Sequence, residues 1–301
     1  MTSDSTTPVQ AATRLARLFL QEDLNFLLTN RIPRRWATQF MGWFSRIESP
    51  RLTRLSLATW RLFADLDLSD ARQQSFRSLH DCFVRRLKDG ARPIDGDPAL
   101  LVSPCDAIVG ACGRVEDGQV LQVKGSRYPL HELLRDDAHA AEFRDGVYAT
   151  LRLTSSMYHR FHAPHDGRVE SVTYVPGDTW NVNPPTLKRI EKLYCRNERA
   201  IIRVRLARGG HGVALVPVAA ILVAGIRLGF LEAGQALRVG GARTIPCRAD
   251  LAKGEEMGWF EHGSTILVFA PQGFDLCDGV CEGARIRVGL PLMRLPGTPG
   301  T

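Results

Sequence analysis

The hydrophobic positions change their period near residue 100. Between residues 10 and 30, Leu15, Leu18, Phe19, Phe26 and Leu27 fall at helical spacing, with Arg14 and Arg17 beside them. Asn30 and Pro33 punctuate this run, and the next segment sets Trp36, Phe40, Trp43 and Phe44 on one helical face. A third helix is expected over 52–65 and a fourth over 75–87, after which Asp89-Gly90 and Arg92-Pro93 close the helical region. From Leu100 onward, short apolar runs such as Ile201–Leu206, Val213–Val218 and Thr265–Ala270 alternate with Gly, Pro and Asp turns, which predicts strands. Short helical insertions are expected at 130–134 and 187–193. The fold class predicted is therefore α+β: a helical region over 1–95 on a mainly antiparallel β sandwich or barrel body over 96–301.

A faint repeat runs through this body. Ser103-Pro-Cys-Asp-Ala-Ile-Val109 and Ala163-Pro-His-Asp-Gly-Arg-Val169 share the pattern small-Pro-x-Asp-small-x-Val. Each predicts a turn feeding a strand, and two copies suggest an internal duplication. The second copy is also similar to the hybrid barrels that carry lipoyl groups, but no lysine occupies a matching hairpin tip.

Composition changes the picture only through charge. With 301 residues, 44% apolar and 24% charged, the chain is an ordinary globular sequence with enough length for a substantial core. The net charge of +7 is concentrated early: residues 31–61 hold Arg31, Arg34, Arg35, Arg46, Arg51, Arg54 and Arg61 against Glu48 alone. Such a patch suits an anionic surface, either lipid headgroups or nucleic acid. No zinc-finger or RNA-binding signature accompanies it, which argues against nucleic acid. Aromatic residues flanked by arginines describe a helix lying in a membrane interface, or one packed on its own domain. The longest uncharged apolar run, Val213–Ile226, contains Pro217 and falls short of the ~20 residues that span a bilayer. The N-terminus has neither the basic start nor the apolar stretch of a secretory signal. Seven cysteines, an odd number without a CxxC, read as reduced thiols of an intracellular protein. Cys277 and Cys281 lack the second pair that a metal site would need, and no metal is expected.

The densest polar cluster is Tyr158-His-Arg-Phe-His-Ala-Pro-His-Asp-Gly167. Three histidines at i, i+3 and i+6 invite a metal, but Pro164 breaks a helix through all three. On a strand, His159 and His162 would face opposite ways. A second reading makes His159 and His162 general acid/base groups, since histidine titrates near neutrality. His165 and Asp166 read most simply as turn residues. Asp106 is either the equivalent turn residue of the first copy or the orienting carboxylate of a Ser/His/Asp set, with Ser264 as its serine. Spacing alone does not choose. Gly263-Ser264-Thr265 itself reads as a tight turn into a core strand, with the Gly263 carbonyl left open for want of a neighbouring Cβ.

Taken together, these segments resemble the pyruvoyl-dependent phosphatidylserine decarboxylase proenzymes. The likeness runs from about residue 20 to 292. It comprises LNFLLTNRIPRRW, FVRRLKDGARPID (83–95), LVSPCDAIVG (101–110), LQVKGSRYPLHELL (121–134), YHRFHAPHDG (158–167), RNERA (196–200) and KGEEMGWFEHGSTI (253–266). The resemblance implies self-cleavage between Gly263 and Ser264, giving a β chain of 1–263 and an α chain of 264–301 that stay associated. Ser264 would become the pyruvoyl cofactor. Asp106, His162 and Ser264 would form the self-cleavage triad, and His159 would serve the decarboxylation. The implied reaction converts phosphatidylserine to phosphatidylethanolamine and CO2 at the cytoplasmic side of the cell membrane, with the protein held peripherally on anionic lipid and a homodimer allowed for. A non-catalytic lipid-binding homologue, or a decarboxylase of a related serine lipid, is the alternative. One position departs from the family: His262 stands where leucine is usual.

Overall fold

The computed structural model describes residues 34–123, 126–221, 225–231, 241–261 and 265–297. The helix expected over 10–30 and residues His262, Gly263 and Ser264 lie outside the described residues.

The largest element is an eight-stranded antiparallel sheet. Its strands lie in the order β11 (Arg243–Leu251), β7 (Gly167–Val175), β8 (Arg199–Leu206), β9 (Gly212–Val218), β13 (Thr265–Ala270), β5 (Val147–Arg152), β2 (Ala107–Arg114) and β15 (Arg285–Ile286). A second sheet joins β10 (Ile226–Leu228), β12 (Glu256–Phe260) and β6 (Arg160–His162). A third joins β1 (Leu100–Val102), β16 (Pro291–Arg294) and β14 (Asp275–Leu276), and β3 (Gln119–Val123) pairs with β4 (Ser126–Pro129). The fold is α+β as expected. The sheets are open, so the barrel alternative falls: the large sheet ends on β11 and β15, which do not pair with each other. The two small-Pro-x-Asp segments feed β2 and β7 of the same sheet, a shared local role that does not by itself make them halves of a duplication.

Strand β13 is the centre of this arrangement. Its continuous run Thr-Ile-Leu-Val-Phe-Ala is buried at all six positions, between β5 on one side and β9 on the other. Burying Ile266, Leu267, Val268 and Phe269 contributes about 1.5–3 kcal/mol each, an upper figure because the unfolded chain already hides some apolar surface. The strand that begins at Thr265 is therefore among the most firmly held of the described elements.

Two helices lie outside this body. α1 (Arg34–Phe44) carries the aromatic stripe, and Trp36, Phe40 and Trp43 are 77%, 60% and 63% exposed. No described residue covers these three, while Phe44, the fourth of the stripe, is half-buried and lines a cavity together with residues of the body. α2 (Pro50–Phe63) starts at Ser49, whose hydroxyl accepts from the Leu52 amide at 3.5 Å, with Pro50 opening the first turn. It leaves Leu55, Leu62 and Phe63 exposed.

The predicted helix at 75–87 shortens to α3 (Leu79–Phe83), begun by a Ser78 cap and ended at Val84. α4 (Leu130–Leu134) stands where it was expected, and α5 (Asp137–Glu142) follows it. The helix expected over 187–193 is replaced by two short ones, α6 (Pro184–Leu187) and α7 (Leu193–Arg196). Lys192 takes a left-handed conformation (φ 52°) between them, which interrupts a right-handed helix.

Candidate active site

The cluster at 158–167 does not converge on one point: Tyr158 and His162 line one cavity, while His159, just before β6, is buried against Phe83. His162 ends β6, and its ring is held from both sides. Its Nδ1 lies 2.9 Å from the Gly254 carbonyl, so that nitrogen carries the proton and donates. Nε2 is then the lone-pair nitrogen, and it accepts from the Tyr158 hydroxyl at 3.0 Å. Burial lowers the His162 pKa, while the Gly254 bond and the charges of Glu256 and Asp106 act against that shift. Burial also holds the Tyr158 phenol well above its ordinary range, so it stays a donor. The result is a neutral imidazole of fixed tautomer.

Gly254 is suited to this task by its backbone. Its φ of +83° is left-handed, and a Cβ there would lie 2.6 Å from Ile94 Cγ1. Its turn is secured by the Lys253 amide, which donates to Asp166 Oδ1 at 2.8 Å, and by Lys253 Nζ on the Asp97 carbonyl at 2.7 Å. Asp166 thus ties two turns together. His165 is buried with its ring nitrogens against the Asp166 and Pro98 carbonyls, a structural placement.

Asp106 is buried at the start of β2, and the described hydrogen bonds pair it with Arg92, not with His162. Arg92 Nε reaches its two carboxylate oxygens at 2.9 and 3.0 Å, Arg92 Nη2 reaches Oδ2 at 2.6 Å, and the Val288 amide donates at 3.0 Å. Arg92 also donates to Asp70 at 2.8 Å. Burial alone would lower the Arg92 pKa, but its bonds to Asp106 and Asp70 raise it, leaving a permanent cation. Arg92, Tyr158, His162 and Gly254 share a cavity of about 410 Å³ with Arg72, Arg86 and Lys88. The Asp106 charge acts at both His162 and Tyr158. Arg92 and Tyr158 had no role in the sequence reading; Tyr158 stood inside the polar cluster, while nothing in the spacing marked Arg92.

His159 faces the other way. It is buried, its ring is 4.4 Å from that of Phe83, and Phe83 stacks on Trp60 of α2 at 5.0 Å. Its carbonyl accepts from the Phe260 amide at 3.0 Å, next to the 262–264 segment. Trp60 and Phe83 line a second cavity of about 760 Å³. Met41, Phe44, Leu52, Leu55, Leu79 and Val182 make much of its wall apolar, and Arg152, Thr154, Ser155, Asn181 and Asn183 supply polar lining. Arg152 pairs in register with Thr265, the first described residue after the segment holding Ser264.

Glu261 closes the other side of that segment. It is buried and ion-paired with Arg46 at 3.0 Å and Arg227 at 3.4 Å. Burial would raise its pKa, but Arg227 and Arg46 bring it below the ordinary value. Among the described residues no cluster of His, Cys, Asp and Glu could hold a metal, and the seven cysteines are free thiols.

An α+β body with a neutral histidine of fixed tautomer, and a largely apolar cavity walled in part by α1 and α2, has the features of an enzyme for an amphiphilic substrate. Residues 79–294 match the phosphatidylserine decarboxylase family, and the chain belongs to it. It is similar to the phosphatidylserine decarboxylase proenzyme of Erwinia tasmaniensis, at 34% identity over 88% of this chain and 92% of that one. The proenzymes of that name from Salmonella arizonae (33% identity) and Escherichia coli O127:H6 (34%) each align over 87% of this chain and 84% of their own length.

Proposed function

We propose that this chain is a self-processing, pyruvoyl-dependent decarboxylase that converts phosphatidylserine to phosphatidylethanolamine and CO2 in phospholipid biosynthesis. The observation that carries this reading is the position of β13. It begins one residue after Ser264, is buried throughout, and starts opposite Arg152, whose side chain lines the lipid-sized cavity. A chain cut between Gly263 and Ser264 would keep its new terminus beside that cavity, because β13 stays paired to β5 and β9.

For self-cleavage, the Ser264 hydroxyl adds to the Gly263 carbonyl and the peptide bond gives way to an ester. An alcohol is a weak nucleophile near neutrality, so a neutral base must take its proton. His162 is the group suited to this, with Nε2 as the accepting atom and the Gly254 carbonyl holding the opposite nitrogen. Tyr158 occupies Nε2 in the described arrangement and would either yield that position or pass the proton on. Asp106, anchored by Arg92 and the Val288 amide, acts on the imidazole through its charge. β-Elimination from the ester then releases the Gly263 carboxylate and leaves a dehydroalanine, and its hydrolysis by one water releases ammonia and leaves the pyruvoyl group at position 264.

The surroundings fit that group: a following strand that is buried throughout, a largely apolar cavity beside Arg152 at its start, and a buried histidine whose carbonyl bonds to the Phe260 amide. When present, it supplies the ketone that binds the substrate amine and takes up the electron pair released with CO2. In this reading His159, its ring held against Phe83, would be the group that protonates the carbon that loses CO2.

Residues 1–95 serve in this reading as the membrane-docking region and 96–301 as the catalytic body. The exposed Trp36, Phe40 and Trp43, in a segment rich in arginine, suit the interface of an anionic leaflet, which supports a peripheral position on the cytoplasmic side of the cell membrane. No described helix is long and apolar enough to cross a bilayer. Release of labelled CO2 from phosphatidylserine vesicles by the purified chain tests the reading. Lipid binding without CO2 would instead favour a non-catalytic lipid-binding homologue, and release from a different serine lipid alone would reassign the substrate.

A further inference from the structure

Arg152 is the single charged side chain among the described residues lining the 760 Å³ cavity. It ends β5, opposite Thr265 on one side and Ile108 on the other, and its stem lies against β2, where a Cβ on Gly110 would come 3.2 Å from Arg152 Cδ. The other enclosed arginines have partners within the protein. Arg199 donates to the Leu133, Cys195, Asn197 and Glu132 carbonyls, Arg160 pairs with Glu256, and Arg203 with Glu142. Among the described residues no carboxylate pairs with Arg152. Burial makes its guanidinium easier to deprotonate, and the Tyr194 phenol offsets this only in part. A cation kept in an apolar cavity is costly unless an anion joins it.

We infer that Arg152 binds the phosphodiester of the phospholipid, with the acyl chains running toward α1 and α2. This inference rests on the proposed decarboxylation of a serine phospholipid for its choice between two anions. A serine phospholipid offers a carboxylate and a phosphodiester. The carboxylate leaves as neutral CO2, so a guanidinium on it would stabilise the reactant more than the transition state and slow the reaction. The phosphodiester keeps its charge throughout, and a planar guanidinium meets two of its oxygens at once. Arg152 is then a substrate-binding and specificity residue of uniform effect, selecting phospholipids over serine compounds that lack a phosphodiester.

The test uses the full chain, wild type and with Arg152→Gln and Arg152→Lys, checked by intact mass for the 264–301 fragment. Turnover of dihexanoyl phosphatidylserine is measured alongside calorimetric binding of dihexanoyl phosphatidylethanolamine, which keeps the phosphodiester and lacks the carboxylate. Arg152→Gln is expected to be cleaved normally, to raise KM about 10- to 100-fold with kcat within about twofold, and to weaken phosphatidylethanolamine binding by the same factor. Arg152→Lys is expected to recover part of both. Unchanged KM and unchanged phosphatidylethanolamine binding would overturn the inference. A raised KM with unchanged phosphatidylethanolamine binding would overturn it too, by moving Arg152 to the carboxylate. If the wild type released no CO2, the decarboxylase reading would fall, while Arg152-dependent phosphatidylethanolamine binding would still decide this one.

Discussion

Gly254 carries the carbonyl that fixes the His162 ring, and an alanine there meets two separate obstacles. Its φ of +83° costs an L-residue about 1–2 kcal/mol. The added Cβ would also sit 2.6 Å from Ile94 Cγ1 and 3.0 Å from Ile94 Cδ1, an overpacking that costs about 1–3 kcal/mol as Ile94 moves aside. Together the loss is about 2–5 kcal/mol, which a domain of ordinary stability survives. The two parts separate in a double-mutant cycle with Ile94→Ala, because removing the isoleucine side chain relieves the clash and leaves the backbone strain. Urea unfolding in a Ser264→Ala background, where the chain stays in one piece, measures them. Gly254→Ala should cost about 1–3 kcal/mol less when combined with Ile94→Ala than when Ile94 is kept. In the Ser264 protein, Gly254→Ala should slow self-cleavage, since the shifted carbonyl no longer holds Nδ1. Equal costs with and without the Ile94 side chain, or cleavage at the wild-type rate, would refute this account of the glycine.

The histidines should separate by step: His162→Ala and Asp106→Asn block or severely slow cleavage, while His159→Ala cleaves yet loses turnover, read by gel shift and CO2 release. The opposite pattern would exchange their roles. Self-cleavage should hold its rate as pH falls to the ordinary histidine range and decline below it, because burial lowers the His162 pKa and keeps Nε2 unprotonated. The same shift means that the unfolded chain takes up a proton at His162 before the folded one does. Its contribution to stability is therefore present above about pH 6.5 and is lost as pH falls through the lowered folded value, which unfolding curves of the Ser264→Ala protein and its His162→Gln derivative would resolve. Replacing Trp36, Phe40 and Trp43 by alanine should weaken flotation with anionic vesicles without changing stability by more than about 0.5 kcal/mol each, since all three are exposed; undiminished flotation would remove α1 from the docking surface.

Strand β13 was legible because a continuous apolar run bounded by turn residues has few other uses in a β body, and the aromatic stripe of α1 because its period is helical. What the pattern could not show was whether that stripe is covered, since the same amphipathic face serves a core and a membrane. The helix expected at 187–193 failed on Lys192, where a residue with ordinary helix propensity adopts a left-handed turn. Barrel closure was beyond the sequence because it depends on whether β11 and β15 meet, a matter of sheet geometry and not of any residue in either strand.

The candidate site was read in part. Asp106, His159 and His162 were singled out as residue types within motifs; the two histidines do have different surroundings, but His159 lies just before β6, so strand alternation is not the reason. Their partners came from elsewhere in the chain. Arg92 approaches Asp106 from a loop, and the Gly254 carbonyl that fixes the His162 tautomer is a backbone group with no side-chain signature. Arg152 did leave a trace that went unused: a lone charge between the apolar stretch of β5 and Leu153, where a buried strand has no evident need of one.

Intact-mass analysis of the purified full-length chain tests self-processing most directly. Two chains are predicted, one ending at Gly263 and one of residues 264–301, the latter lighter by one ammonia than a serine-started peptide and silent to N-terminal sequencing. Ser264→Ala should abolish the split. A single uncut chain under native conditions, or a 264–301 fragment that still begins with serine, would contradict it.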